Sequence, residues 1–362
     1  MNKKITHHKI LLQYNLKKLK NIFINKSILL FCVLVIVLLA YSCSSNQNEN
    51  NLNPQKVTKQ VEEKFWKITP EFNADSCYYF IKYQTDLGPR NPGSKGHQKC
   101  VEWIHNFFES YHLKTTLQKF PATTFDNKQW IGINIIAQYR PELKNRILLC
   151  AHYDTRPIAD RDNEKNKNTP ILGANDGASG VAVIMSITQA LQKLPLQNVG
   201  VDFVLFDLED YGQPSGESQT WCLGSQFWAK NISATSNKPE VGILLDMVGD
   251  TNAVFPKEGI SVQFHPVLVH DIWSIAQKAG FSRYFIDEST NDITDDHLFI
   301  NTLANIPCID IIHYYPNKTD FFEHHHKVSD DMKNISKSTL KAVGQTLLYY
   351  LYKKDEKYSL NN

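Results

Sequence analysis

From about residue 70 onward, short unbroken apolar runs alternate with longer segments whose apolar residues recur every three or four positions. The runs at 146–151, 201–206, 241–245 and 306–311 are β-branched or aromatic and bounded by polar residues, which predicts buried strands. Helical spacing predicts helices over 76–84, 95–111, 177–194, 266–279 and 337–352. In the third, Val181, Val183, Ile184, Ile187 and Leu191 gather on one face. Strands separated by helices predict an α/β fold, three α/β/α layers about a mixed but mostly parallel central sheet. His152-Tyr153-Asp154 follows the first strand and Asp207-Leu208-Glu209-Asp210 the second; Asp246 and His313 follow the third and fourth. Ligand sites in open α/β sheets lie beyond the carboxyl ends of the strands, so four strands deliver acids and histidines to one edge.

The chain before residue 70 reads differently. Residues 1–26 hold seven lysines and no acid, and an apolar stretch of about 13 residues, 28–40, follows. That is short for a bilayer span of roughly 20 residues. It ends in Ala40-Tyr41-Ser42-Cys43, and residues 44–58 are rich in Asn, Ser and Gln, the composition of a solvated tether. Small residues before a single cysteine resemble a bacterial lipoprotein signal. The resemblance implies cleavage before Cys43 and a diacylglycerol on its sulfur; an uncleaved signal anchor is the alternative. The expected organisation is a signal peptide at 1–42, a lipidated cysteine and tether at 43–65, and one catalytic domain at 66–355. The expected location is a bacterial membrane, facing the periplasm or the surface.

Composition narrows the body of the protein. With 42% apolar and 21% charged residues in 362, a folded globular body is expected. Without residues 1–26, 32 basic residues face 37 acidic ones, and a mildly acidic surface argues against nucleic acid as partner. Apart from Cys32 and Cys43, the cysteines are Cys77, Cys100, Cys150, Cys222 and Cys308, scattered and without a C-x-x-C. They form neither a disulfide framework nor a thiolate metal site.

Taken singly, the polar motifs are ambiguous. Asp176, in Gly173-Ala174-Asn175-Asp176-Gly177-Ala178-Ser179-Gly180, stands where a helix N-cap would. His152 and Asp154 are a pair in which an acid could orient a metal-binding imidazole. Glu209-Asp210 is stronger, because adjacent acids after an apolar strand need a cation or a shared proton. Asp246 needs a partner if buried. His324-His325-His326 could be a solvated cluster.

In order, Leu87-Gly88-Pro89-Arg90, His152-Tyr153-Asp154, the 173–180 segment, Asp207-Leu208-Glu209-Asp210, Leu245-Asp246, Asp295-Asp296-His297, and His326 with Asp330 resemble one family over about residues 70–352. It comprises the zinc exopeptidases of the leucyl aminopeptidase type and their offshoot, the glutaminyl-peptide cyclotransferases. The resemblance implies a zinc-exopeptidase-like fold in which Asp176, Asp210 and His326 hold zinc and Glu209 is the general acid/base. It makes His152 and Asp246 the extra ligands of a second zinc in two-metal members. Asp210 stands where the family usually has glutamate.

Both branches share this scaffold, so fold alone does not choose between them. Asp295-Asp296-His297 is similar to the acid pair of the cyclases, with Asp295 matching the acid that bonds the leaving nitrogen. The 221–228 stretch resembles their aromatic pocket wall, with Trp221 favoured for the pocket and Trp228 equally readable as core. His325 is expected at the pocket rim, and His313 as a hydrogen-bonded structural residue. The implied reaction closes an N-terminal glutamine of a peptide to pyroglutamate and releases ammonia. The alternatives are a two-zinc aminopeptidase, in which Glu209 activates water, and a catalytically dead binding lipoprotein.

Overall fold

The computed structural model describes residues 64–232 and 237–359. In chain order its main elements begin with α1 (Ala74–Asp86), α2 (Lys95–Ser110), β1 (Lys114–Thr123), β2 (Gln129–Tyr139), β3 (Arg146–His152) and α3 (Ala178–Lys193). Then come β4 (Gly200–Phe206), α4 (Leu223–Asn231), β5 (Val241–Asp246), β6 (Phe255–Lys257), α5 (Gly259–Phe264) and α6 (Pro266–Lys278). The last are β7 (Phe285–Ser289), α7 (Asp296–Phe299), β8 (Cys308–Ile312), β9 (Tyr314–Tyr315), β10 (Asp320–Phe321) and α8 (Lys337–Ser359).

Six strands form the central sheet in the order β1-β2-β4-β3-β5-β8. β4, β3, β5 and β8 run parallel, and every residue in them is buried. That explains their continuous apolar sequences, since a parallel strand is covered on both faces. Successive side chains face opposite layers. Ile147, Leu149, Ile243 and Ile309 join the core beneath α1, α3, α6 and α8. Leu148, Cys150, Leu244 and Cys308 join Trp228 and Ala229 of α4 on the other side. The layered α/β/α architecture is as expected, and each of the five predicted helices and four predicted strands is present.

The antiparallel β1–β2 hairpin has no counterpart in the sequence reading. β1 is an edge strand, largely exposed, and carries Lys114, Thr115, Thr116, Gln118, Lys119 and Pro121. A solvated edge needs no apolar run, so the pattern that betrays buried strands is missing there. The segments 1–42 and 43–63, with Cys43, lie outside the described residues.

The amino ends of the parallel strands are closed by buried polar groups. Arg146 opens β3 and pairs with Asp202 of β4 at 2.6 Å. Asp355 of α8 accepts the backbone N–H groups of Gln197, Asn198 and Val199, which lead into β4, the last two at 2.6 and 3.1 Å. This carboxylate ties the C-terminal helix to the sheet. Asp355→Ala is expected to destabilise the fold by on the order of 2–3 kcal/mol, with Asp355→Asn between it and the wild type. Chemical denaturation measures this, and an unchanged midpoint would remove Asp355 from the fold's supports.

Candidate metal and catalytic site

Asp176 enters from the turn between β3 and α3. The N–H groups of Asn175 and Asp176 donate to Asp330 at 2.9 and 3.1 Å. The buried Arg90 guanidinium donates to the carbonyls of Tyr153, Leu172 and Gly173 at 2.6–2.9 Å. Gly177 lets the turn approach β3, because a Cβ there would stand 2.5 Å from the His152 ring. Asp176 is not a helix cap; Gly177 occupies that position with no side-chain bond.

Asp210 enters from the turn after β4. The N–H groups of Glu209 and Asp210 donate to the two oxygens of Asp154, each at 3.2 Å. Asp154 therefore shapes the loop that presents the acid pair. The Arg156 guanidinium bonds the Asp210 carbonyl at 2.9 Å and Asp160 at 2.8 Å. Asp160 in turn faces Nδ1 of His326 at 3.1 Å, which turns Nε2 toward Asp210. Non-glycine residues in the left-handed region cluster here: Leu208, Cys222, Met247 and His326, with φ of 50–57°. Each conformation costs about 1–3 kcal/mol and persists because its surroundings over-determine it.

His326 Nε2 lies 3.1 Å from Asp210 Oδ1 and 3.9 Å from Asp176 Oδ2. Asp176 Oδ2 and both Asp210 oxygens are buried without a hydrogen-bond partner. Buried polar atoms are almost always satisfied, so orphaned oxygens around one imidazole nitrogen mark a cation's place. Two carboxylates and one imidazole are a zinc donor set that keeps a position open. His325 Nε2 also lies 3.9 Å from Asp176 Oδ2. Its Nδ1, however, accepts from Arg161 at 2.7 Å, so the neutral ring carries its proton on Nε2 and offers no lone pair there.

A cavity of about 590 Å³ opens over these residues, lined among others by Glu209, Asp246, Asp295, Trp221, His325 and His326. The sequence-predicted catalytic, metal and pocket residues thus line one cavity, with His152 and Asp154 outside its lining. His152 Nε2 sits 3.0 Å from Asp176 Oδ1 and 3.2 Å from Asp246 Oδ1, and these three bring ligand atoms within 4.8 Å of one another. Burial lifts the Glu209 carboxyl well above the usual carboxylate range; His152 opposes the rise, and Asp295 and Asp210 add to it. Burial likewise pushes Asp246 up to about 7. Asp295 is also raised, chiefly by burial, and its Oδ2 has no partner.

Trp221 stacks on His326, ring centroids 6.0 Å apart, under the Arg156 guanidinium at 4.6 Å. Gly212 admits the indole, because a Cβ there would fall 1.8 Å from it. Trp228 is core. His313 departs from expectation: neither ring nitrogen bonds a protein group, and burial lowers its pKa to about 3. It packs as a neutral ring against Tyr315 and Phe322. The sequence reading passed over Arg156 and Asp160, because an Arg and an Asp in a polar loop carry no signal of their own.

Fold and site define a zinc-dependent enzyme of the aminopeptidase-like class. The model for peptidase family M28 matches residues 134–351, and the chain belongs to that family. The structure of Bacteroides thetaiotaomicron glutaminyl cyclase bound to N-acetylhistamine is 46% identical, with a TM-score of 0.76, covering 78% of this chain and 99% of that one. A leucine aminopeptidase precursor of the same organism is also 46% identical, with a TM-score of 0.75 and coverage of 78% and 98%. Glutaminyl-peptide cyclotransferase of Boiga irregularis is 22% identical over 313 residues, 74% of this chain and 79% of its own.

Replacing Asp176 or His326 by alanine should abolish stoichiometric zinc. Asp160→Ala, which frees His326 Nδ1, should weaken zinc by about 10–100-fold. Competition against a chromogenic chelator reads both effects.

Proposed function

We propose that this cavity converts the N-terminal glutamine of peptides to pyroglutamate with release of ammonia, Glu209 moving the protons. The chain is a zinc-dependent glutaminyl-peptide cyclotransferase. The observation that carries the assignment of roles is Glu209 itself, a buried carboxyl of raised basicity that lines one cavity with the orphaned donors, Asp246 and Asp295. A base that must take and later return one proton works best with a pKa near the working pH.

When bound, zinc supplies Lewis-acid polarisation of the glutamine side-chain carbonyl. The substrate α-ammonium enters an acid-lined cavity and gives one proton to Glu209. The freed amine closes on the γ-carbonyl carbon and forms the ring C–N bond. Glu209 returns its proton to the side-chain amide nitrogen as the bond between that nitrogen and the carbonyl carbon breaks, and the ring nitrogen's surplus proton passes through Glu209 to the departing ammonia, which leaves as ammonium. Asp246 and Asp295 hold the two nitrogens. Closure of a five-membered ring is already intramolecular, so the residues mainly orient the substrate and move protons.

One observation favours the aminopeptidase reading: His152, Asp176 and Asp246 are close enough to hold a second metal. A Gln-initiated and a Leu-initiated peptide, incubated with protein and one equivalent of zinc, separate the two. Loss of one ammonia from the Gln peptide alone is expected. Free leucine, increasing with a second equivalent of zinc, would establish the hydrolase instead. Glu209→Gln should keep its zinc yet lose turnover by about 10²–10⁴-fold, and full activity would remove Glu209 from the mechanism.

We further propose a lipid on Cys43 that holds the enzyme to a bacterial membrane after export, on the strength of residues 27–48. Peptides or proteins with N-terminal glutamine would meet it outside the cytoplasm. Metabolic labelling with a fatty acid should mark the wild type and spare Cys43→Ala, and recovery of the wild type in the cytosolic fraction would refute the anchor.

A further inference from the structure

Trp221 and Cys222 are consecutive, and they serve opposite halves of the site. Trp221 covers the ligand His326, while Cys222 Sγ lies 3.3 Å from Glu209 Oε1 in hydrogen-bond geometry. Cys222 is fully buried at a φ of 57°, a conformation that a non-glycine residue adopts only when held. It is held by the base's own loop. Cys222 N–H donates to the Glu209 carbonyl and Leu223 N–H to the Leu208 carbonyl, each at 3.0 Å. The Cys222 carbonyl accepts from Gln226 N–H at 3.0 Å and from the Ser225 hydroxyl at 3.1 Å. Backbone and side chain of Cys222 are thus both bonded to Glu209, thirteen residues away.

We infer that Cys222 is a positioning residue for the general base: its thiol donates to Glu209 Oε1 and leaves Oε2 to face the substrate nitrogens. Oε2 lies on the side of His152, 3.9 Å from its Nδ1. A glutamate carboxylate turns freely about its last torsion unless one oxygen is anchored. A base that takes a proton from one nitrogen and returns it to another needs that torsion fixed, since misplacement by about 1 Å can cost 10²-fold. Sulfur suits the task because a thiol is a weak donor and anchors the oxygen while draining little of its basicity. The thiol is available throughout, because burial lifts its pKa well above the ordinary thiol value and it stays S–H. Asp295 also stands near, with a ligand atom within 4.8 Å of Glu209 and Cys222, but among the described residues it is the Cys222 thiol that stands in hydrogen-bond geometry to Glu209 Oε1.

The inference rests on the cyclase reading and is tested by three variants assayed with wild type: Cys222→Ala, Cys222→Val and Cys222→Ser. Valine refills the volume without a donor, and serine keeps a donor at similar size. The expected result is kcat lowered about tenfold in the alanine and valine proteins, with KM and zinc content unchanged, and serine within a few-fold of wild type. Valine as active as serine, wild-type kcat in the alanine protein, or a fall in kcat accompanied by zinc loss would each reduce Cys222 to packing and overturn the inference. Wild type that does not cyclise a Gln peptide would instead sink the assignment of function, so the two failures are distinct.

Discussion

Asp176 and Asp210 are fixed through their backbones and not through their carboxylates. Each lies in a turn whose N–H groups donate to a second buried acid, Asp330 for the first and Asp154 for the second. The outer acids spend their oxygens on the chain, while Asp176 Oδ2 and both Asp210 oxygens have no hydrogen-bond partner. Had the inner carboxylates made those bonds themselves, the donor set would be satisfied without a cation. Burial raises the Asp210 carboxyl and the neighbouring Asp176 adds to the rise, so a divalent ion relieves the crowding while the backbone bonds hold the geometry. The parallel sheet makes this arrangement natural, since its carboxyl ends converge on one edge and the turns beyond them are free to bend.

The same constraint bears on which chemistry the scaffold runs. His152 stands at hydrogen-bond distance from both Asp176 and Asp246, and a second metal would need that ring without its Nε2 proton. With the proton in place, His152 and Asp246 are partners, and Asp246 turns to the cavity as an acid whose pKa of about 7 lets it donate or accept. Asp295, also raised chiefly by burial, has a ligand atom within 4.8 Å of Glu209. Hydrolysis needs an activated water, whereas ring closure by the substrate's own amine needs proton handling, and burial raises the Glu209, Asp246 and Asp295 carboxyls that line the cavity.

Much of this was legible in the sequence, for a physical reason. Strands buried on both faces must be apolar throughout, so β3, β4, β5 and β8 announce themselves, and the polar residues just past each one are already at the sheet's edge. The β1–β2 hairpin was hidden because one solvated edge tolerates any polar residue. Asp176 taken singly could have been a helix cap, whereas the ordered motifs made it a metal ligand, and the structure puts Gly177 at the cap. Asp154 could be paired with His152 by spacing, but its grip on the Glu209 and Asp210 amides depends on two strands meeting. His313 looked like a residue in search of a hydrogen bond, yet two aromatic rings and deep burial make it an apolar disc.

Arg156 shows what no local pattern can reveal. Its guanidinium touches the carbonyls of Asp210 and Gly212, the carboxylate that steers His326, and the face of Trp221. Loop backbone, ligand orientation and pocket wall therefore share one planar cation whose fork can satisfy all of them at once, which a lysine could not do. Gly212 belongs to the same unit, because only without a Cβ can the chain carry its carbonyl to Arg156 and leave room for the indole. A change to the Trp221 wall is then felt at Asp210 and His326, and the reverse. Pocket wall and the Asp210–His326 geometry are accordingly one packing problem, centred on a residue outside the cavity lining whose guanidinium stands 4.0 Å from Asp210 Oδ1.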